Sequence, residues 1–190
     1  MNVTFALLAN QEIHNKVRRI SWEIHQKYHT GLDISLLPPH ISLKQPFEIS
    51  ALPPLESYMI EFARSINPFM VSLTQLELIE TTMDNLPTGI LWLDVRETKQ
   101  LRQLHNRLNE QLAKLFGDVS AAYDGPAYHF HMSLAIGGQP IEVYQQIFKE
   151  FIGQWQPVQF RVKNLALFTY DESNPNHAGY MTYKILTIGK

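Results

Sequence analysis

Two stretches of this chain carry one pattern: Pro39-His40-Ile41-Ser42-Leu43 and Phe130-His131-Met132-Ser133-Leu134 both read His-apolar-Ser-Leu inside an apolar run. In an extended strand successive side chains point to opposite faces, so each histidine shares a face with its serine while Ile41, Leu43, Met132 and Leu134 take the other. Each stretch therefore buries one face and offers an imidazole and a hydroxyl on the other, which is half of a site. The two histidines lie 91 residues apart, and the same offset relates Phe69 to Phe160, Val71 to Val162 and Leu76 to Leu167. Chance similarity between apolar strands would not hold one offset, so the pattern predicts a duplicated unit. Apolar parity in the first copy runs Phe69, Val71, Leu73 and then shifts to Leu76 and Leu78; in the second it runs Phe160, Val162 and shifts to Leu165 and Leu167. A parity change inside a strand marks a bulge or kink, so both copies predict a bent strand at matching places.

The order of elements repeats as well. A strand is predicted over Val3 to Leu8, then a helix from Gln11 to Tyr28 capped by Asn10, with Ile13, Val17, Ile20, Ile24 and Tyr28 on one stripe. Pro38 and Pro39 hold the chain extended and deliver His40 at the head of a strand. Pro53 and Pro54 start a second helix, and the first bent strand follows from Phe69 to about Glu80. Thr81 to Thr88, with Asp84-Asn85 and Pro87, is the expected boundary between halves. Beyond it come a strand over Gly89 to Val95, a helix over Lys99 to Phe116 and a loop over Gly117 to Pro126. The second motif strand spans His129 to Ile136, a helix Ile141 to Ile152, and the second bent strand Phe160 to Phe168. The expectation is one α+β domain over residues 1–190, with repeat halves of about 1–82 and 89–170 and a closing strand over 180–188. Each of its two lobes is a mainly antiparallel sheet with helices on the outer face and the motif faces uncovered.

A net charge of −2, with no long run of Lys or Arg, does not suit a surface built for the backbone of long duplex nucleic acid, though a small phosphate ligand remains compatible. The absence of cysteine excludes disulfides, thiolate nucleophiles and thiolate metal sites. No apolar run approaches the roughly 20 residues of a membrane span, and no basic leader precedes the first strand, so a cytoplasmic protein without a membrane partner is expected.

Histidine titrates nearest neutrality, so a facing pair can hold one proton between them as acid and base. At a cyclic phosphate one imidazole takes a proton from water while the other protonates the departing ribose oxygen, and serine hydroxyls hold the nonbridging oxygens. His129, His131 and Ser133 share a strand face; the His-x-His spacing could hold a metal with His40 as third ligand, but neither motif carries an acidic residue to complete it. His14, His25, His29 and His105 fall mostly off the apolar stripes and are expected in solvent. His177 sits in a turn-rich loop that could overhang a cleft, and Trp92, Trp155, Tyr170, Tyr180 and Tyr183 are possible platforms for a base.

The paired His-x-Ser motifs, their wide separation and the duplicated layout resemble the 2H phosphoesterase superfamily, which includes 2'-5' RNA ligase and RNA 2',3'-cyclic phosphodiesterase proteins. Within it, Leu37 to Lys44 followed by Pro46-Phe47-Glu48 looks most like the YjcG-like phosphoesterases. The resemblance implies two lobes across a cleft, His40 and His131 as the catalytic pair, and Ser42 and Ser133 as phosphate-binding hydroxyls. It also implies metal-independent chemistry without a cofactor, on a nucleotide or RNA end bearing a cyclic phosphate. By the same analogy His131 is the base that activates water and His40 the acid. Both hydroxyl positions are serine where threonine is common, which keeps the donor and loses the methyl that stiffens the rotamer. The second motif continues with Ala135 and Gly137-Gly138, so positive charge at the phosphate must come from the first half. Lys44, two positions past Ser42, is the candidate for that charge, and His129 is expected as a rim residue that contacts substrate.

Overall fold

A computed structural model describes residues 1–170 and 181–190 of the chain. The elements are β1 (Asn2–Leu8), α1 (Gln11–Tyr28), a 3-10 turn (Asp33–Ser35), β2 (His40–Ser42), β3 (Phe47–Glu48), α2 (Leu52–Arg64), β4 (Phe69–Met83) and β5 (Leu86–Val95). They continue with α3 (Lys99–Phe116), β6 (His131–Pro140), α4 (Ile141–Phe151), β7 (Val158–Val162), β8 (Asn164–Tyr170) and β9 (Met181–Thr187). The helix starts follow their local chemistry. The Asn10 side chain accepts the Ile13 N–H at 2.9 Å, and the Thr98 hydroxyl accepts the Leu101 N–H at 3.1 Å. Pro53 and Pro54 occupy the first turn of α2, where their missing N–H groups leave no bond unmade.

Two antiparallel sheets result, as the α+β expectation requires. The first runs β2-β1-β8-β9, with β3 also on β1; the second runs β6-β5-β4-β7. Sheet membership does not follow the two halves of the sequence. β4 leaves the first half to pair with β5, and β8 leaves the second half to pair with β1. The crossing point is the antiparallel pair β4–β7, where Phe69 faces Val162, Met70 faces Arg161 and Val71 faces Phe160. Positions offset by 91 residues are thus exchanged about a local two-fold axis at Met70 and Arg161. The parity shifts mark where each chain bends out of this pair: the β4–β5 register breaks between Leu73 and Leu76, and β7 gives way to β8 around Lys163.

The segment expected as a boundary between halves is the tip of a hairpin. β4 runs on to Met83 and β5 begins at Leu86, with Asp84 (φ 51°) and Asn85 (φ 62°) in the left-handed region of a two-residue turn. Asp and Asn tolerate that conformation, and its twist matches the flanking strands.

One large cluster fills the helix-facing sides. Phe5, Leu7, Ile41 and Leu43 come from the first sheet, Leu91, Leu93, Met132 and Leu134 from the second, and Ile13, Val17, Leu108 and Ile147 from the helices. α4 lies close on β5, where a Cβ at Gly89 would come within 2.4 Å of Tyr144. A separate small cluster of Ala6, Leu8, Leu37, Ala166 and Phe168 occupies the other face of the first sheet. Among the described residues no helix is long and apolar enough to cross a membrane.

Candidate active site

Both motifs form edge strands, and the two edges lie against each other: β2 ends the first sheet, β6 ends the second, and they are in contact. Pro39 and His40 from the first motif and Ser133 from the second line one small pocket together with Val17, Arg18 and Ser21 of α1. Alternation along β2 and β6 buries Ile41, Met132 and Leu134 in the core and leaves His40, Ser42, His131 and Ser133 half-buried on the opposite side.

The two imidazoles are oriented alike. Nδ1 of His40 lies 2.8 Å from the carbonyl oxygen of Pro38, and Nδ1 of His131 lies 3.0 Å from that of His129. A carbonyl only accepts, so each Nδ1 carries a proton and each neutral ring keeps Nε2 as its basic atom. Burial pushes the His40 imidazolium down to a pKa of about 4, against the bond to Pro38, with the charges of His131 and Arg18 adding to the depression. His131 is also lowered by burial, which outweighs the bond to the His129 carbonyl; the His129 ring lowers it further and Glu77 raises it.

The His40 shift has a consequence for stability. The unfolded chain binds a proton at His40 near pH 6.5 that the folded chain refuses until about 4, so the proton excess belongs to the unfolded state. Folding free energy is therefore undiminished above pH 6.5 and falls on acidification through this window, by roughly 3 kcal/mol at most from this residue. Urea denaturation at pH 7 and pH 5 should show His40→Gln losing less on acidification than the wild type. Equal losses would show that His40 is not the buried neutral group described.

The surroundings of the two histidines differ. The Phe168 ring meets His40 edge-on at 4.8 Å between centroids, and Leu8 is its cross-strand neighbour. His131 stacks on Trp92 at 4.1 Å, and His129 stacks on the same indole at 5.3 Å. The Trp92 N–H donates to Glu77 Oε2 at 2.9 Å, while Nε2 of His129 lies 3.2 Å from Asp94 and 3.5 Å from Glu77. Burial opposes the ionisation of Glu77, but the Trp92 and Gln75 side chains and the charges of His129 and His131 hold its carboxyl below the usual value. The ligand atoms of Glu77, Asp94 and His129 lie within 4.8 Å of one another, a spacing at which such a set could take a divalent cation. Here they are engaged with one another, with Trp92 and with the Thr74 hydroxyl, which donates to Asp94.

The remaining expectations divide. His129 is exposed, and the acidic residues absent from either motif come to it from β4 and β5. Lys44 does not reach the cleft: its side chain is 0% exposed and its ammonium pairs with Asp124. β2 ends at Ser42, so the alternation that would have placed Lys44 beside the serine is no longer in force. The cation that does line the pocket is Arg18 on α1, whose guanidinium also donates to the carbonyls of Ser35 and Leu37 at 2.8 and 2.6 Å. His105, expected in solvent, is fully buried: its Nδ1–H donates to Leu43 O at 2.8 Å and its Nε2 accepts the Gly125 N–H at 3.2 Å. His177 lies outside the described residues.

The 2'-5' RNA ligase superfamily model matches residues 9–174 of the chain. Among solved structures, TT0787 of Thermus thermophilus aligns with a TM-score of 0.61 at 14% identity, covering 100% of this chain and 98% of that one. E. coli LigT complexed with NADP+ aligns at 0.56 and 16% identity, and LigT complexed with 3'-AMP at 0.53 and 18%, each covering 100% of this chain and 98% of that one. No curated protein matches by sequence. These structural likenesses establish a shared fold over the whole length. The family match spans nearly the whole chain, including both motif strands, and on that ground the chain belongs to the 2'-5' RNA ligase superfamily, the 2H phosphoesterases.

Proposed function

We propose that this protein is a metal-independent phosphodiesterase that hydrolyses 2',3'-cyclic phosphates of RNA ends or nucleotides, or a related cyclic or 2'-5' linked phosphodiester, by two-histidine acid–base catalysis. The observation that carries the reading is the matched pair of imidazoles. Each donates Nδ1–H to the carbonyl two residues earlier, and they come from the two edge strands that lie against each other. Both rings turn Nε2 away from the carbonyl that fixes Nδ1, so one neutral and one protonated ring can serve the two ends of an in-line displacement. A ligand held only by shape and hydrogen bonds would need no such pair. Water loses a proton to the Nε2 of the neutral ring as its oxygen bonds to phosphorus, the P–O bond to ribose breaks, and the other ring, entering the reaction protonated at Nε2, gives that proton to the departing oxygen. Ser42 and Ser133 are assigned to the nonbridging oxygens and Arg18 to the charge that the phosphate brings. E. coli LigT has been solved with 3'-AMP, phosphate, NADP+ and ATP, which favours a nucleotide as occupant of the corresponding cleft.

The test is direct. Purified protein incubated with a 2',3'-cyclic nucleotide in excess EDTA is expected to release a nucleoside monophosphate at the rate seen without chelator. Loss of turnover in EDTA would point to a metal at Glu77, Asp94 and His129 instead. Tight binding without product would make the cleft a nucleotide-binding module.

A further inference from the structure

The register of the second sheet sets out its cleft face in tiers. His131 lies opposite Asp94; Ser133 lies opposite Trp92, which in turn faces Glu77; and Ile136 lies opposite Ile90, which faces Ile79. The third tier is a row of three isoleucines, one from each strand, all half-buried. Plain alternation along β6 would turn Ile136 toward the core with Leu134. The register break between Leu91 and Trp92 leaves Leu134 unpaired, and this extra residue brings Ile136 round to the face of Ser133. We propose that the isoleucine row is a nucleoside subsite: the base of a nucleotide whose phosphate sits at Ser133 lies flat on Ile79, Ile90 and Ile136. The proposal rests on the phosphodiesterase reading for the place of the phosphate, and it adds where the base goes and how it is recognised.

Trp92 and Ile90 are two residues apart on β5, so their tiers stand about 7 Å from each other, which matches the reach from a ribose-bound phosphate across the sugar to the base. The tier of Ser133 has an aromatic ring, but that ring is taken: His131 stacks on Trp92 at 4.1 Å and His129 at 5.3 Å. In the first sheet the strands beside β2 present Ala6, Leu8, Ala166 and Phe168 on the corresponding face, and all four are buried. The isoleucine row keeps part of its apolar area in solvent, which a base can cover. None of its three side chains donates or accepts a hydrogen bond, so the row holds a base by its face and reads no edge. Selection is then by area: a purine covers more of the row than a pyrimidine, and a sugar without a base covers none. Recognition of this kind suits nucleotide ends of any sequence.

Methyl NMR of the protein labelled at isoleucine Cδ1 tests the subsite without any turnover, with the three signals assigned from Ile79→Val, Ile90→Val and Ile136→Val spectra. Adenosine 3'-monophosphate should move all three upfield, because a base lying on them shields them with its ring current, and inorganic phosphate should leave them in place. Methyl signals that ignore the nucleotide, or that move as far with phosphate alone, overturn the proposal. Kinetics supply a second readout. Across the four 2',3'-cyclic nucleotides kcat/KM should vary by no more than about tenfold, purines ahead, while a methyl riboside 2,3-cyclic phosphate, which has no base, should fall about 10- to 100-fold below the adenosine ester. Ile90→Thr, which keeps the β-branch and adds a hydroxyl, should raise KM on the cyclic nucleotides about fivefold to tenfold and narrow the gap to the base-free ester by the same factor. A base-free ester hydrolysed as well as the nucleotides, a preference for one base beyond about tenfold, or an Ile90→Thr that leaves the gap as wide as before also overturns it. A wild type that hydrolyses no phosphodiester yet shifts the three methyl signals with the nucleotide would end the phosphodiesterase reading and leave the subsite standing.

Discussion

His40→Ala and His131→Ala should each lower kcat on a 2',3'-cyclic nucleotide by at least about 100-fold, and their double variant should lose little more than the worse single one. General acid–base assistance contributes roughly 100 to 10,000-fold per group, and two groups that transfer protons in one step fail together, so their losses do not multiply. The fold should survive. Both rings are half-buried on the face away from the large core, and each makes one protein hydrogen bond, worth about 1 kcal/mol. Steady-state rates beside far-ultraviolet circular dichroism and a urea midpoint would separate the two effects. Ser42→Ala and Ser133→Ala should cost less, about tenfold to 100-fold, because one donor to a nonbridging oxygen is removed while the proton transfers remain. Either histidine variant retaining activity within about tenfold of wild type would remove that histidine from the chemistry, and with it the matched-tautomer argument.

What the sequence made legible is what depends on neighbours along the chain. Helices α1 and α3 begin at their capping residues, and the parity shifts after Leu73 and Val162 locate the bends at the crossing of the sheets. The two motif strands are half-sites because alternation is a local property. What stayed hidden depends on partners distant in sequence. No period in residues 69–83 tells that β4 pairs with β5 and β7, or that this exchange brings Glu77 and Asp94 beside His129. Arg18 sits on a helix whose apolar stripe is plain, and only the placement of α1 over the pocket gives its guanidinium a role. His105 follows Leu104 on a leucine-rich helix, and a lone histidine there reads as solvated until the carbonyl of Leu43 and the N–H of Gly125 are found against its ring. Trp92 is one of several aromatic candidates in the sequence; the register that sets it opposite Ser133 and against His131 singles it out.

Lys44→Met should destabilise the protein by about 3–5 kcal/mol and leave KM nearly unchanged in whatever fraction folds, the reverse of what a phosphate-binding lysine would do. The lysine side chain is fully enclosed and that of Asp124 only 10% exposed, so removing the cation strands a carboxylate in a site that water barely reaches. Asp124 also accepts the Gln45 N–H at 3.2 Å, the Gly125 N–H rests on His105, and the Tyr128 hydroxyl donates to Ser42 O at 2.9 Å. These bonds tie the segment leading into β6 to the strand that carries His40 and Ser42, so the buried pair helps fix one half of the active site against the other. A double variant, Lys44→Met with Asp124→Leu, should recover most of the lost stability, since taking both charges out of the interior costs far less than leaving one there. Urea midpoints report the stability, and KM and kcat measured below the transition show where the damage falls. If Lys44→Met folds as firmly as wild type and raises KM at least about tenfold, the ammonium reaches substrate in solution and the ion pair with Asp124 opens during turnover.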